Sequence, residues 1–157
     1  MFRILVVDDD KHTRRLFEAV LTAENYTVFT ASNGEEALDI MDREHIDLVV
    51  LDIMMPRMDG YELTRVLRKA NNNLPILMVS AKQLPEDRRK GFIVGTDDYM
   101  TKPIDVEEML LRIKALLRRA QIASEKRLVI GDVVLDYDSF TVSKNGEVQE
   151  LPQKEFM

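Results

Sequence analysis

The chain has 157 residues, enough for one full domain with a good core plus a small remainder. It contains no cysteine, which removes disulfides and thiolate metal sites, and no apolar run approaches the length of a membrane span. A formal net charge of −6 argues against the chain, as it stands, holding a nucleic-acid backbone by itself.

In chain order, Ile4-Leu5-Val6-Val7 is the first predicted strand and runs straight into Asp8-Asp9-Asp10. It is too short for a signal peptide and is followed by acid rather than a cleavage site, so a soluble cytoplasmic protein with no membrane partner is expected. The next segment is predicted as a helix with Leu16, Val20 and Ala23 on one face. Thr27 to Ala31 is the second strand, and Asn33 is placed to cap a helix that turns Ala37, Leu38 and Met41 inward. Asp47-Leu48-Val49-Val50-Leu51 makes the third strand and ends at Asp52, followed by Ile53-Met54-Met55-Pro56. Asp59-Gly60 makes a turn, and Leu63, Val66, Leu67 and Ala70 define the helix after it.

Asn71-Asn72-Asn73 breaks that helix before Pro75 and the fourth strand, Ile76-Leu77-Met78-Val79, which ends at Ser80-Ala81. Pro85 to about Val94 reads as a helix with a thin apolar face, expected to be the most mobile element. Asp97-Asp98-Tyr99-Met100 then leads to Thr101-Lys102-Pro103. Val106, Met109, Leu110, Ile113, Leu116 and Leu117 form the stripe of the last helix. Five strands alternating with five helices specify an α/β fold, a doubly wound five-stranded parallel sheet.

After Ala120 the character changes. Residues 121–127 read as a linker between a domain at 1–120 and a small β segment at 128–157. Leu128-Val129-Ile130, Val133-Val134-Leu135 and Phe140-Thr141-Val142 are β-rich, and Asn145-Gly146 is a strong hairpin signal.

In an open parallel sheet the strand ends share one edge, and ligands bind in the crevice outside it. Asp8 and Asp9, Asp52, Ser80 and Lys102 would therefore converge there, a donor set suited to phosphoryl transfer. Such transfer needs a positioned nucleophile and compensation for charge on the phosphoryl oxygens. Asp52 can be that nucleophile, because carboxylates form acyl phosphates. Asp8, Asp9 and Asp52 crowd one another enough to call for a hard divalent cation, with Mg²⁺ the natural candidate. Lys102 supplies a point charge and Ser80 a hydroxyl donor.

From about Phe2 to Arg119 these residues resemble the receiver domain of two-component response regulators. The resemblance is carried jointly by Asp8-Asp9, by Asp52 with Met54-Met55-Pro56-Arg57-Met58-Asp59-Gly60, by Ser80-Ala81 and by Lys102-Pro103. It implies a flavodoxin-like fold and a phosphoacceptor at Asp52, charged by a sensor histidine kinase. It implies Mg²⁺ on Asp9, Asp52 and the Met54 backbone carbonyl, with Asp8 helping through water. Ser80 would be the switch hydroxyl, Tyr99 the switch aromatic, and Lys102 the phosphate contact beside a cis Lys102-Pro103 bond.

The tail resembles the antiparallel platform that opens the winged-helix effector domain of the OmpR/PhoB class. On that expectation the chain is the input half of a transcription regulator that reaches promoter DNA only through effector residues beyond Met157. The same class implies a homodimer on phosphorylation, through Arg88 with Glu108, Asp98 with Arg112 and Asp97 with Arg119. No enzymatic role is expected beyond self-phosphorylation and slow loss of the phosphoryl group.

Plainer readings stand beside these. Asp8, Asp9 and Asp10 serve equally as a strand end and helix cap, Tyr99 as a core tyrosine, and the charged pairs as a solvated face within one subunit. The tail serves as a hairpin on a stand-alone receiver or interaction module. A haloacid-dehalogenase-like phosphatase also uses an aspartyl nucleophile, and Asp8-Asp9-Asp10 contains Asp-x-Asp, but it leaves Asp52 unexplained. His12 and His45 have no partner at metal spacing.

Overall fold

The computed structural model describes residues 1–129, 135–136, 141–142 and 149–150. The chain divides between Leu117 and Arg118 into two compact units. In the first, the strands β1 (Arg3–Val7), β2 (Thr27–Ala31), β3 (Leu48–Leu51), β4 (Ile76–Ser80) and β5 (Asp98–Thr101) pair in parallel in the order β2-β1-β3-β4-β5. They alternate with α1 (Lys11–Ala23), α2 (Gly34–Arg43), α3 (Gly60–Ala70), α4 (Pro85–Val94) and α5 (Val106–Val129). This is the doubly wound sheet that the alternation of patterns predicts.

The central strands are covered on both faces, which is why they read as unbroken apolar runs. Period-two alternation sends Leu5, Val7, Val49, Leu51 and Met78 into one core with Ala37, Leu63 and Leu67 of α2 and α3. Ile4, Val6, Val50 and Val79 face the other, with Phe17 and Leu21 of α1 and Met109 and Ile113 of α5. Each of these large side chains contributes about 1.5–3 kcal/mol by leaving water.

Three expectations need correction. On α1 the buried residues are Phe17 and Leu21, whereas Leu16 is 50% exposed and Ala23 lies outside the core. Both sets have helical spacing, and only the cap at Asp10 and the docking on β1 choose between them. On α3, Asp59 is the cap rather than a turn residue, its carboxylate accepting from the Glu62 amide at 2.9 Å. Tyr61 and Thr64 are buried there, while Ala70 is exposed. Finally, α5 continues through the expected linker at 121–127 and through Leu128 and Val129. Residues 121–129 contain neither proline nor glycine, so nothing local stops helix propagation.

The second unit holds an antiparallel sheet of β6 (Leu135–Asp136), β7 (Thr141–Val142) and β8 (Gln149–Glu150), in that order. The predicted strand residues Ile130, Val133, Val134 and Phe140, the Asn145-Gly146 turn and the stretch from Leu151 to Phe156 lie outside the described residues. Among the described residues no helix is long and apolar enough to cross a membrane.

Candidate functional site

The order of the sheet reverses between β1 and β3, and the crevice at their carboxyl ends is where such folds place ligands. Each strand carries its ladder one residue further, the Asp8 amide donating to Ala31 O at 3.1 Å and the Asp52 amide to Val7 O at 2.9 Å. The carboxylates of Asp8 and Asp52 consequently stand on the sheet edge, 2% and 6% exposed, with Asp9 exposed beside them. One oxygen from each of the three lies within 4.8 Å of the others.

Lys102 arrives from the end of β5, with Nζ 3.1 Å from Asp8 Oδ2 and 3.5 Å from Asp52 Oδ2. Its amide donates to Ser80 O at 2.8 Å, and the Lys102-Pro103 bond is cis. Burial works to lower the Lys102 pKa, but the facing carboxylates of Asp52 and Asp8 outweigh it and hold it above its ordinary value. The Asp52 pKa is raised too, which for a carboxyl disfavours the charged form: burial, then the charge of Asp8, raise it against the pull of Lys102. Three carboxylates face one ammonium, so the cluster keeps an excess of negative charge. That excess, with two of the three groups buried, fits a divalent cation bound by oxygen ligands.

The loop after β3 is fixed tightly. Gly60 N donates to Ile53 O at 2.8 Å, and a Cβ on Gly60 would collide with the Asp52 carbonyl oxygen. Only glycine permits that approach. The Met54 amide faces Asp52 Oδ1 at 3.4 Å, and the Met54 side chain is exposed.

Asp10 stands apart from the cluster. Its carboxylate caps α1, accepting from the His12 amide at 3.3 Å and the Thr13 hydroxyl at 2.7 Å, and the Thr13 contact leads in lowering its pKa. That use of Asp10 leaves the Asp-x-Asp phosphatase pattern without its second carboxylate. Arg14 Nη1 donates to Asp8 O at 2.7 Å and braces the first acidic residue.

Ser80 is fully buried, its Oγ accepting from the Lys82 amide at 3.2 Å. Tyr99 is 1% exposed, its hydroxyl donates to Lys82 O at 2.8 Å, and the Arg88 guanidinium lies 5.0 Å over its ring. Burial raises its pKa, so the phenol stays a donor. Of the other charges expected at an interface, Asp97, Asp98, Glu108 and Arg112 are engaged within one chain. Arg112 meets both oxygens of Asp98 at 2.9 Å and Glu108 at 2.7 Å, and Arg68 meets Asp97 at 2.5 Å. Arg119 is exposed on α5.

Residues that the sequence patterns did not single out also border the site. A cleft of about 470 Å³ runs from Asp9 past Met54 and Pro56 to Tyr61, Lys82 and Lys90. At the opposite, amino edge of the sheet, Arg68 donates to Gly95 O at 2.8 Å and to Leu74 O, tying the end of α3 to the loops that precede β4 and β5. No periodicity marks Tyr61, Lys82 or Lys90; only the approach of α3 and α4 to the sheet edge assembles them.

A parallel sheet in this order, carrying an acidic cluster bridged by a lysine at its carboxyl edge, defines a flavodoxin-like receiver fold. Residues 4–114 match the response regulator receiver domain family, and the chain belongs to that family. It is 38% identical over 156 residues to the heme response regulator HssR of Staphylococcus epidermidis, covering 99% of this chain and 69% of HssR. It is 42% identical to the probable transcriptional regulatory protein TcrX of Mycobacterium tuberculosis, covering 98% of this chain and 67% of TcrX. Among solved structures, response regulator TrrA of Thermotoga maritima, in complex with Mg²⁺-BeF, is 35% identical with a TM-score of 0.68. That match covers 74% of this chain and 99% of TrrA. The protein is a response regulator of a two-component phosphorelay.

Proposed function

We propose that Asp52 is the phosphoacceptor and that a sensor histidine kinase supplies the phosphoryl group. The observation that carries this reading is the placement of a buried Asp52 carboxylate beside Asp8 and Asp9, with Lys102 Nζ 3.5 Å away. An Asp52 oxygen attacks phosphorus, the bond from phosphorus to the donor nitrogen breaks, and the nitrogen keeps the electron pair. Lys102 compensates charge on one phosphoryl oxygen, and the Ser80 hydroxyl turns to donate to another. Asp8, Asp9, Asp52 and the Met54 carbonyl would hold Mg²⁺, which when bound neutralises charge on the phosphoryl oxygens.

The protein is an acceptor rather than a turnover enzyme, and it acts in the cytoplasm. Phosphorylation shifts a two-state balance at Ser80, Tyr99 and α4, limited by how differently the phosphoryl group interacts with the two states. We place a phosphorylation-dependent homodimer on the α4, β5 and α5 face, where Arg88, Asp97, Asp98, Glu108 and Arg112 exchange partners within a chain for partners across it and Arg119 joins them. The antiparallel sheet of the second unit and the name of TcrX support a transcriptional output through promoter DNA.

Treatment with acetyl phosphate and Mg²⁺ tests the acceptor assignment. Mass spectrometry is expected to show one added phosphoryl group, absent in Asp52→Asn. Persistent labelling of that variant, or rapid turnover to inorganic phosphate, refutes it.

A further inference from the structure

α4 has the weakest anchorage of the helices on the sheet. Gly91 is its only buried residue, whereas Phe92 and Ile93 are 46% and 81% exposed. Two phenols hold it. The Tyr99 hydroxyl donates to Lys82 O just ahead of the helix, and Arg88 of α4 lies over the Tyr99 ring. The Tyr61 hydroxyl donates to Asp87 O in the first turn of α4 at 3.1 Å, and the Lys90 ammonium sits 4.4 Å from the centre of the Tyr61 ring. Each tyrosine thus supplies one cation–π contact to an element with almost no apolar face of its own, and one hydrogen bond, from Tyr61 to its first turn and from Tyr99 to the loop that leads into it.

The two tyrosines are rooted differently. Tyr99 stands on β5. Tyr61 stands in the first turn of α3, one residue after the glycine whose Cβ position would collide with the Asp52 carbonyl oxygen. No slack separates the backbone of Asp52 from the residue that carries Tyr61. The Tyr61 ring also walls the cleft shared with Asp9 and Met54. Burial pushes its phenol up to about 12, so it donates at any working pH.

We propose that Tyr61 is a positioning residue that couples the state of the Asp52 carboxylate to the placement of α4, through its hydrogen bond to Asp87 and its ring contact with Lys90. The proposal rests on Asp52 being the phosphoacceptor. Displacement of the loop that follows Asp52 moves the root of Tyr61, and the phenol transmits that movement to the start of α4. By linkage, a residue that couples the two must change both the mobility of α4 and the affinity of the Asp52 site for a phosphoryl mimic.

The test uses the whole chain and Tyr61→Phe, which keeps the ring over Lys90 and removes only the hydroxyl. Hydrogen exchange of residues 85–94 is followed with Mg²⁺, with and without beryllofluoride, and beryllofluoride binding is titrated by fluorine NMR. Tyr61→Phe is expected to speed α4 exchange by about threefold or more while exchange in α1 is unchanged, and to shift the beryllofluoride midpoint by about threefold or more. Unchanged α4 exchange overturns the proposal, and so does faster exchange with an unchanged midpoint, because Tyr61 is then only a structural brace. Asp52→Asn separates the underlying reading: wild type that takes up beryllofluoride while Asp52→Asn does not establishes the acceptor independently of Tyr61. Wild type that takes up none overturns both.

Discussion

Replacing Asp52 by Asn is expected to stabilise the metal-free fold, although it breaks a contact with Lys102. Two unit charges 4.8 Å apart, the outer limit of the carboxylate cluster, repel by about 3.5 kcal/mol at an effective dielectric constant of about 20. Attraction between Asp52 and Lys102 at 3.5 Å is about 4.7 kcal/mol on the same scale. These nearly cancel, and Lys102 keeps its shorter contact with Asp8 in the variant. The cost of burying the Asp52 carboxylate then decides the sign, in agreement with burial as the leading cause of its raised pKa.

After allowance for residual solvent the expected gain is about 1–3 kcal/mol, or about 3–10 °C in Tm for a chain of this size. A raised folded pKa means that the folded state binds more protons than the unfolded state between the two pKa values. Wild type therefore loses stability as pH rises from about 4 through the folded value, and the advantage of Asp52→Asn grows over the same window and is absent below it. Added Mg²⁺ binds the folded wild type and narrows the gap, by about 2.7 kcal/mol at a hundredfold excess over Kd. Thermal unfolding in chelator and in Mg²⁺, from pH 4 to pH 8, checks each part. An Asp52→Asn variant no more stable than wild type in chelator at pH 8, or an advantage that ignores pH, refutes the reasoning.

Gly60→Ala is expected to cost about 1–3 kcal/mol and to slow phosphorylation, because its Cβ must displace the Asp52 backbone; denaturant unfolding beside acetyl phosphate labelling measures both. Sedimentation addresses the charged face. Arg112→Asp should weaken dimerisation of the beryllofluoride form without altering Asp52 labelling, and adding Asp98→Arg should restore part of it. High salt should weaken the dimer, since Asp97, Glu108 and Arg119 are exposed and Arg88, Asp98 and Arg112 are only half-buried. Phe17→Ala, measured by thermal unfolding, should destabilise the first unit by about 3–5 kcal/mol, whereas Leu16→Ala should cost under about 1 kcal/mol.

Most of the first unit was legible in the residues because strand and helix periods differ and because turns carry their own chemistry. Apolar runs ending in Asp8, Asp52 and Ser80, and a strand leading to Lys102, were enough to foresee a shared edge, since parallel strands put their carboxyl ends together. Asn33 announced its helix as a cap does, and the sparse apolar content of Pro85 to Val94 foretold a weakly held helix. Tertiary structure decided what periodicity leaves degenerate. Phe17 and Leu21 rather than Leu16 face the sheet because α1 is fixed by its cap and its strand, not by its own spacing. The helix through 121–129 is a cooperative extension that no local stop signal opposes. Within one chain Arg112 reaches Asp98, 14 residues away in sequence, and Arg68 reaches Asp97, 29 away, contacts that no local pattern encodes. Tyr61 shows the same limit: its neighbours in sequence mark only a helix start, and its path from Asp52 to α4 exists only once Gly60 lets two backbones touch.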